Sequence, residues 1–420
     1  MTARGLALDD GLAILDALTE EIWWRGRSKL LCHACDGLLP GMRFSATDEP
    51  KPVNPSNRRR VALSLTPDRD TMAWASAKGL ELMLPAADVV RRAGDKIELC
   101  ELASAAGVQT PVSVVIHGLD EATAARAWNG VRLVVQRPEN DLTGSGTRFV
   151  DTPAALAALA GEWRGIDVKV SEHCAGLPLT VSGCVMPRTT LVSGISHQLV
   201  GFGRVTPLAA AHCGNQLLDD DELPAAVIAG SRTACARLGD ELRAMGFLGM
   251  FGLDVLAEES TVRVIEINPR IQGVSSLLNA AERTVGLLPL PGAHVLAFLG
   301  FDGGHLRTTT LHAHGLSQVF MYARQHGSIG TTLPSGLFEL VDGELRHLDA
   351  TPRLDDVAGR QDAVLAWPFV ERDDAVRPGT RMIVLQFGER VAPIDERREF
   401  LEWVEPWVSA FEERLGVGAG

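Results

Sequence analysis

Residues 266–273 decide the fold, and they read Glu266-Ile267-Asn268-Pro269-Arg270-Ile271-Gln272-Gly273. In a β-strand, side chains two residues apart point to the same face of the sheet. Glu266 and Asn268 would therefore present two oxygen ligands on one face, while Ile265 and Ile267 pack on the other. This pattern predicts a strand whose end carries polar chemistry. A simple edge strand with a solvated polar face is the alternative.

A second acidic residue precedes this strand. Two strand candidates cover residues 249–257 and 261–267, and a three-residue turn at 259–261 would place Asp254 opposite Glu266. Two carboxylates and an amide oxygen are the ligands that a hard cation such as Mg²⁺ prefers, with water and phosphate at the remaining positions. The hairpin therefore predicts a magnesium site.

The stretch at 266–273 resembles the E-x-N-x-R motif of the ATP-grasp ligase superfamily, which ends a strand, binds Mg²⁺ and faces the triphosphate of ATP. It is similar to the corresponding segment of the biotin-carboxylase branch and of many amino-acid ligases. The resemblance implies ATP and Mg²⁺ (or Mn²⁺) as cofactors, and Asp254, Glu266 and Asn268 as metal ligands. It also implies a catalytic role for Arg270, which would hold the substrate carboxylate and stabilise the transferring charge. The residues after Gln272 lack the Glu and His of the biotin-carboxylase branch, which argues against bicarbonate chemistry.

Two upstream segments follow in the order found in the family. Asp95-Lys96 opens a helix candidate that ends before Gly107, and by resemblance Lys96 would contact the α-phosphate of ATP. Residues 140–147 resemble the glycine-rich loop that closes over the phosphates, because glycines let backbone N–H groups approach phosphate oxygens and hydroxyls add further donors. By themselves the two patterns also fit a capped surface helix and a plain hairpin turn. The loop residues assigned to the nucleotide are Gly144, Ser145, Gly146 and Thr147.

The chain departs from the family just before this loop. Most members have a lysine there that contacts the α- and β-phosphates, whereas this chain has Gln136. A glutamine can donate a hydrogen bond but carries no charge. Lys169, in the next strand candidate, could restore the cation and is assigned to both nucleotide binding and catalysis. Arg137 and Arg148 are the alternatives.

A linker after the strand of Lys169 would hold the adenine. By resemblance it consists of Glu172, His173 and Cys174, whose backbone groups would contact the base. For the Glu172 side chain, contact with the ribose and a purely local role in a turn both stay open. His197 and Gln198 lie where later strands return across the nucleotide, and for His197 substrate contact and simple packing both stay open.

Helices are mixed with paired strands along the chain, which predicts an α+β or α/β fold with several modules, and the resemblance implies the α+β fold of the ATP-grasp superfamily. The resemblance implies an ATP-grasp domain at 94–304, in which two α+β subdomains clamp the nucleotide. These are a mobile lid part at 94–175 and a metal-binding part at 176–304. Residues 1–93 would form a small α/β pre-ATP-grasp domain. Residues 305–420 would form an α+β C-terminal module that roofs the substrate site.

The resemblance implies a ligase that activates a carboxylate as an acyl phosphate and joins it to an amine, releasing ADP and phosphate, in natural-product biosynthesis. The substrates would be a small-molecule carboxylate and amine. Two other functions stay open: transfer of an amino acid to the thiol of a carrier protein, and a catalytically silent nucleotide-binding module. A homodimer is compatible with each of them.

Composition narrows the class of protein. The 420 residues are 46% hydrophobic and 22% charged, which is ordinary for a globular protein, and the formal net charge is −13. Such a charge opposes binding to nucleic acid, and no apolar run predicts a membrane span. The start of the chain lacks the apolar core of a secretory signal, so a cytoplasmic location is expected. Cys32 and Cys35 form half of a zinc motif that His212-Cys213 could complete in space, and two buried or free thiols are the favoured interpretation.

Overall fold

The structure is a computed structural model. It describes residues 6–25, 43–44, 58–139, 146–304, 306, 311, 315–349 and 353–418. Residues 140–145, with the predicted phosphate-binding Gly144 and Ser145, lie outside the described residues, as do Cys32 and Cys35. None of the described helices is long and apolar enough to cross a membrane.

The N-terminal part contains a parallel sheet with strand order β2-β1-β3-β4. The sequence places Ile22 on the face of the first helix, but the helix ends at Leu18 and Ile22 lies in the first strand. Ile22, Trp23 and Trp24 are fully buried there, because β-branched and aromatic side chains pack well in a strand and burial outweighs helical spacing. The elements are α1 (Leu8–Leu18), β1 (Thr19–Arg25), β2 (Arg43–Phe44), β3 (Arg59–Ser64), α2 (Arg69–Ala77), β4 (Glu81–Leu82) and α3 (Ala87–Ala93).

The next part is a small antiparallel sheet with strand order β5-β8-β6-β7. Helix α4 begins at Glu98 after Asp95, whose carboxylate accepts hydrogen bonds from the backbone N–H groups of Ile97 and Glu98. It ends at Ala106 and is followed by Gly107, whose φ of +62° suits glycine. The elements are α4 (Glu98–Ala106), β5 (Ser113–Ile116), α5 (Glu121–Ala127), β6 (Leu133–Gln136), β7 (Thr147–Val150), α6 (Pro153–Glu162) and β8 (Val168–Glu172).

A ten-stranded antiparallel sheet forms the centre of the molecule, in the order β13-β12-β9-β10-β11-β14-β20-β18-β16-β17. The long helix α7 packs on β9 and β10, with Leu238 and Leu242 fully buried. The first elements are β9 (Leu177–Val185), β10 (Thr190–Val200), β11 (His212–Leu218), α7 (Ala225–Ala244), β12 (Gly249–Glu258), β13 (Thr261–Asn268), α8 (Ser275–Thr284) and α9 (Leu290–Phe298).

The strands after residue 305 continue this same sheet, since β14 pairs with β11. Three short strands form a separate sheet of order β19-β15-β21. The sequence predicts that Phe400 and Leu401 belong to the last helix, but that helix begins only at Glu405. The elements are β14 (Ser317–Tyr322), β15 (Gly327–Ile329), β16 (Gly336–Val341), β17 (Glu344–Asp349), β18 (Ala363–Pro368), β19 (Ala375–Val376), β20 (Arg381–Phe387), α10 (Glu405–Leu415) and β21 (Val417–Gly418).

The β12–β13 hairpin differs from the sequence prediction in its turn. β12 ends at Glu258 and β13 begins at Thr261, so two residues connect the strands instead of three. This shorter turn would place Asp254 opposite Ile265, but the register shifts between Asp254 and Val255, and a bulge at Ile265 restores the predicted pairing of Asp254 with Glu266. The bulge also turns Ile265 toward a cavity, and only Ile267 packs in the core as expected.

Candidate active site

A cavity of about 560 Å³ lies between the small sheet and the ten-stranded sheet. One end is lined by Gln136 and Lys169 of the small sheet, and the hairpin β12–β13 lines the middle. The other end is lined by aromatic and basic side chains, including Phe320 and Arg381 from strands after residue 305. The residues assigned to three different roles from the sequence therefore line one continuous space.

Asp254, Glu266 and Asn268 all line the middle of this cavity. Asp254 and Glu266 are directly paired across β12 and β13, so their side chains lie on the same face. The Asn268 amide donates a hydrogen bond to Asp254 through Nδ2, at 3.1 Å from Oδ2. The three predicted metal ligands are thus neighbours, with two carboxylates and one amide on one surface.

Asp254 is partly buried, and hydrogen-bond donors surround its carboxyl group. Burial raises the pKa of its carboxyl, while hydrogen bonds from Gln198, Thr180 and Asn268 act in the opposite direction. The Thr180 hydroxyl lies 3.1 Å from Oδ1 of Asp254. A buried carboxylate needs compensating charge or donors, and here three neutral donors are assembled around it. The charge of Arg270 also lowers this pKa, and a cation at this surface would add further positive charge.

Arg270 lies beside these ligands. Its Nη2 donates a hydrogen bond to Oδ1 of Asn268 at 3.0 Å. Burial lowers the pKa of the guanidinium, and the carboxylates of Glu266 and Asp254 oppose that shift. The guanidinium therefore lies close to both carboxylates. It is positioned at the boundary between the predicted metal ligands and the far end of the cavity.

Two buried lysines lie next to Glu266. Lys96 is 3% exposed; its ammonium donates to the Glu139 carbonyl at 2.8 Å and lies 3.5 Å from Oε1 of Glu266. Lys169 is 2% exposed, and its ammonium is 3.5 Å from the carbonyl of Ile265, the bulged residue. Burial lowers the pKa of Lys169. Two ammonium groups with so little solvent around them form a positive pocket suited to an anion.

Gln136 and Lys169 are cross-strand partners in β6 and β8. The side chains of such a pair share one face, so the lysine stands beside the glutamine in the cavity. Gln136 also faces Thr147 across β6 and β7, with 3.4 Å between Nε2 and Oγ1. The other two candidate cations, Arg137 and Arg148, each stack over the ring of Trp163, and neither lines the cavity. Among these three candidates the structure therefore brings only Lys169 to the glutamine.

The predicted adenine linker also borders the cavity, at the end of β8. Oε1 of Glu172 accepts a hydrogen bond from Asn129 at 2.9 Å. The His173 ring makes an edge contact with Phe149, with 5.9 Å between centroids, and burial lowers its pKa. Burial also raises the pKa of the Cys174 thiol. All three residues line the cavity, but the backbone N–H groups of Glu172 and His173 already donate to the carbonyls of Val112 and Arg132.

Ser171 is an unassigned residue of the same strand. Its hydroxyl is buried and makes no hydrogen bond within the described structure, although the residue lines the cavity. A buried polar atom without a partner costs free energy unless a ligand or water satisfies it. The hydroxyl therefore marks a point where a polar ligand would be favoured.

Two histidines border the cavity farther along. His197 is buried, and its Nδ1 lies 3.2 Å from Nε2 of Gln216. His212 Nε2 lies 2.8 Å from Oδ1 of Asn215. Burial lowers the pKa of each histidine to about 4, so both are neutral at pH 7. Gln198 also lines the cavity, and its side chain forms a hydrogen bond with Asp254.

The described residues contain no cluster of three or more His, Cys, Asp or Glu side chains that could hold a metal. His212 is engaged with Asn215, and Cys213 is a free, buried thiol that donates to the carbonyl of Ala211. The half-motif at Cys32 and Cys35 lies outside the described residues, so its pairing stays untested.

Comparison with known proteins identifies the central part of the chain. Residues 93–274 match the family model of the ATP-grasp domain. The chain contains an ATP-grasp domain. The match begins just before Lys96 and ends just after the motif at 266–273, so it includes the small sheet and the β12–β13 hairpin that line the cavity. No curated protein sequence is significantly similar to the chain.

Solved structures share the fold over most of the chain. Phosphoribosylamine–glycine ligase from Thermotoga maritima has a TM-score of 0.59 at 14% identity, over 88% of this chain and 93% of that one. Carboxyaminoimidazole ribonucleotide synthase from Aspergillus clavatus, complexed with ATP, has a TM-score of 0.56 at 13% identity, over 95% and 99%. An L-amino acid ligase from Bacillus licheniformis has a TM-score of 0.54 at 14% identity, over 96% and 99%. At these identities the likeness establishes the α+β ATP-grasp fold.

Sequence reasoning missed several residues of the ATP-grasp cavity. Ser171 and Thr180 carry common hydroxyls in ordinary strands, and nothing in their sequence context marks them. His212 was considered only as a zinc ligand. Arg381 lies far downstream in β20, and only the pairing of β20 with β14 brings it to the site.

Proposed function

We propose that the chain is an ATP-dependent ligase that activates a carboxylate as an acyl phosphate and joins it to an amine, with release of ADP and phosphate. One observation carries the proposal: Asp254 and Glu266 face each other across a hairpin while two buried lysines lie beside Glu266. Carboxylates for a divalent ion next to cations for phosphates are what a nucleotide-triphosphate site needs. The ATP-grasp domain supports the same conclusion.

The residues present fit Mg²⁺ and ATP. Asp254, Glu266 and Asn268 supply hard oxygen donors, and the Ser171 hydroxyl is a buried donor without a partner among the described residues. Bound Mg²⁺ would neutralise charge that develops on the β- and γ-phosphates. Asn268 would then have to turn its amide oxygen toward the ion, and Arg270 would exchange its bond to that oxygen for a substrate carboxylate.

The two buried lysines are proposed to bind the phosphates of ATP. Lys96 and Lys169 would contact phosphate oxygens, since both are buried and, among the described residues, their only ion pair is the 3.5 Å contact of Lys96 with Glu266. Most family members have a lysine at the position of Gln136. Lys169 would replace that lysine, because Lys169 and Gln136 are cross-strand partners. This argument also favours an active enzyme over a silent nucleotide-binding module.

Arg270 would orient the attacking carboxylate toward the γ-phosphate. A guanidinium binds a carboxylate through two parallel hydrogen bonds, which fixes both its position and its direction. The amine would then displace phosphate from the acyl phosphate, and enclosure of the site would exclude water that competes for this intermediate. We propose that Gly146 and Thr147 contact the phosphates and that Glu172, His173 and Cys174 hold the adenosine.

We also propose the domain limits 1–93, 94–304 and 305–420, with the lid part at 94–175 and the metal-binding part at 176–304. The last region would roof the acceptor site, although its strands continue the central sheet. An amine acceptor is preferred to a carrier-protein thiol. A role in natural-product biosynthesis stays a prediction.

The test is ADP release from the purified chain with ATP, Mg²⁺ and a panel of carboxylates, with and without amines. ADP that depends on a carboxylate, together with a hydroxamate when hydroxylamine replaces the amine, is the expected result. Release of AMP, or ADP formation that no carboxylate stimulates, would contradict the proposal. A mass shift on a carrier protein supplied in place of the amine would instead indicate that the acceptor is a thiol.

A further inference from the structure

Arg381 is a cation of the cavity that the proposed chemistry does not use. It begins β20 and pairs with Tyr322 of β14, at the end of the cavity away from the lysines. Its guanidinium carbon lies 4.5 Å above the ring of Phe320, and the rings of Tyr322 and Phe369 are 5.7 and 5.8 Å away. Three aromatic rings therefore fix the orientation of this side chain.

The polar partners of Arg381 are few. Its Nη2 lies 3.4 Å from the Tyr322 hydroxyl, which itself donates to the carbonyl of His212 at 2.7 Å. Its Nε is buried and makes no hydrogen bond within the described structure. His212 is neutral at pH 7, because burial lowers its pKa to about 4. No described carboxylate forms an ion pair with Arg381.

Two other partly buried arginines, Arg204 and Arg232, behave differently. Arg204 is paired with Glu405 and Glu412, and Arg232 is paired with Asp220. An enclosed guanidinium without an anion is unfavourable, and the usual solution is a carboxylate partner. At Arg381 the chain supplies aromatic rings in place of that carboxylate and leaves the polar edge to the cavity.

We propose that Arg381 binds a carboxylate of a substrate that is not consumed in the reaction. This inference rests on the proposed function, in which Arg270 already holds the carboxylate that becomes phosphorylated. The substrate class is then a donor with two carboxylates or an acceptor amine that is an amino acid. Phe320 and Phe369 beside the guanidinium favour an apolar group next to that carboxylate.

The test compares matched ligands that differ by one carboxylate, using the full chain with Mg²⁺ and a non-hydrolysable ATP analogue. Succinate against butyrate examines the donor, and L-phenylalanine against phenethylamine examines the acceptor. Binding is measured by isothermal titration calorimetry. The wild-type chain should prefer the carboxylate-bearing member of one pair, and which pair shows the preference identifies the source.

In Arg381→Met that preference should fall by about ten- to hundredfold, the range expected for a charge-assisted hydrogen bond. Arg381→Lys keeps the charge without the planar fork and should retain part of the preference. Arg346→Met is the control. Arg346 also lies in the region 305–420, but it pairs with Glu339 outside the cavity, so its replacement should leave the preference unchanged. Thermal unfolding of each variant checks that it is folded.

An unchanged preference in folded Arg381→Met, or no preference in the wild type for either pair, would overturn the inference. The proposed function fails separately: it fails if no carboxylate stimulates ADP release, even where the binding preference depends on Arg381. Carboxylate-dependent ADP release with a preference that ignores Arg381 would overturn only the present inference.

Discussion

Replacement of Lys169 by methionine gives the sharpest test of its assignment to the phosphates. Methionine is apolar and about as long as the carbon chain of lysine, so it fills the same buried space while removing the charge. A charge-assisted hydrogen bond contributes about 1.5–3 kcal/mol. At 1.4 kcal/mol per factor of ten, this predicts a rise in KM for ATP of about ten- to more than a hundredfold.

The same substitution should not weaken the fold. Burial lowers the pKa of Lys169 below that of a free lysine, 10.5. The unfolded chain therefore holds this proton more tightly than the folded chain, and Lys169 opposes folding at every pH below its folded pKa. Lys169→Met removes this penalty, so its free energy of unfolding at pH 7 should equal or exceed that of the wild type. The advantage should disappear as the pH rises toward 10.5.

Steady-state ADP release at varied ATP concentration and urea unfolding measure the two effects. Lys78→Met is the matched control, because Lys78 packs over Trp23 outside the cavity and should leave KM for ATP unchanged. An unchanged KM in Lys169→Met would refute the phosphate assignment. A large loss of stability would show that the lysine is structural.

Three further predictions concern the hairpin, its packing and the pH response. Glu266→Gln should reduce ADP formation by at least a hundredfold with an unchanged melting temperature, and retained activity would refute its metal role. Gly252→Ala should cost about 1–3 kcal/mol in urea unfolding, because a Cβ there would collide with the Gln272 carboxamide, whereas Gly161→Ala in α6 has open space and should stabilise the chain slightly. The free energy of unfolding should fall as the pH is lowered from 6.5 to 5. Three buried histidines have folded pKa values of about 4 and take up protons on unfolding. Burial raises the pKa of Glu282 to about 7, so in that pH range Glu282 releases a proton on unfolding and offsets the proton uptake of one histidine. A free energy of unfolding, measured in urea, that does not change with pH would contradict this prediction. The three histidines are His197, His212 and His294.

Local patterns in the sequence were sufficient for the hairpin. Alternation along β13 and the acidic residue in β12 predicted that Asp254 faces Glu266, and the structure confirms the pairing. The turn length was wrong, because nothing distinguishes Ile265 from an ordinary strand residue. A bulge depends on how two strands pair, and that information is not local.

Contacts between distant segments explain what the sequence could not show. Lys169 was one of three candidate cations, and only the pairing of β6 with β8 selects it. Arg381 carries no motif, and its position depends on the continuation of the central sheet past residue 305. The family resemblance predicted the α+β ATP-grasp fold, because the order of its motifs is more specific than any one of them.

The location of the divalent ion tests the central claim most directly. Crystals grown with Mn²⁺ and a non-hydrolysable ATP analogue would reveal the ion by its anomalous scattering. The account predicts one peak or more within about 2.0–2.3 Å of carboxylate oxygens of Asp254 and Glu266, with the triphosphate extending toward Lys96 and Lys169. A nucleotide bound elsewhere, or an ion that avoids this hairpin, would contradict the account.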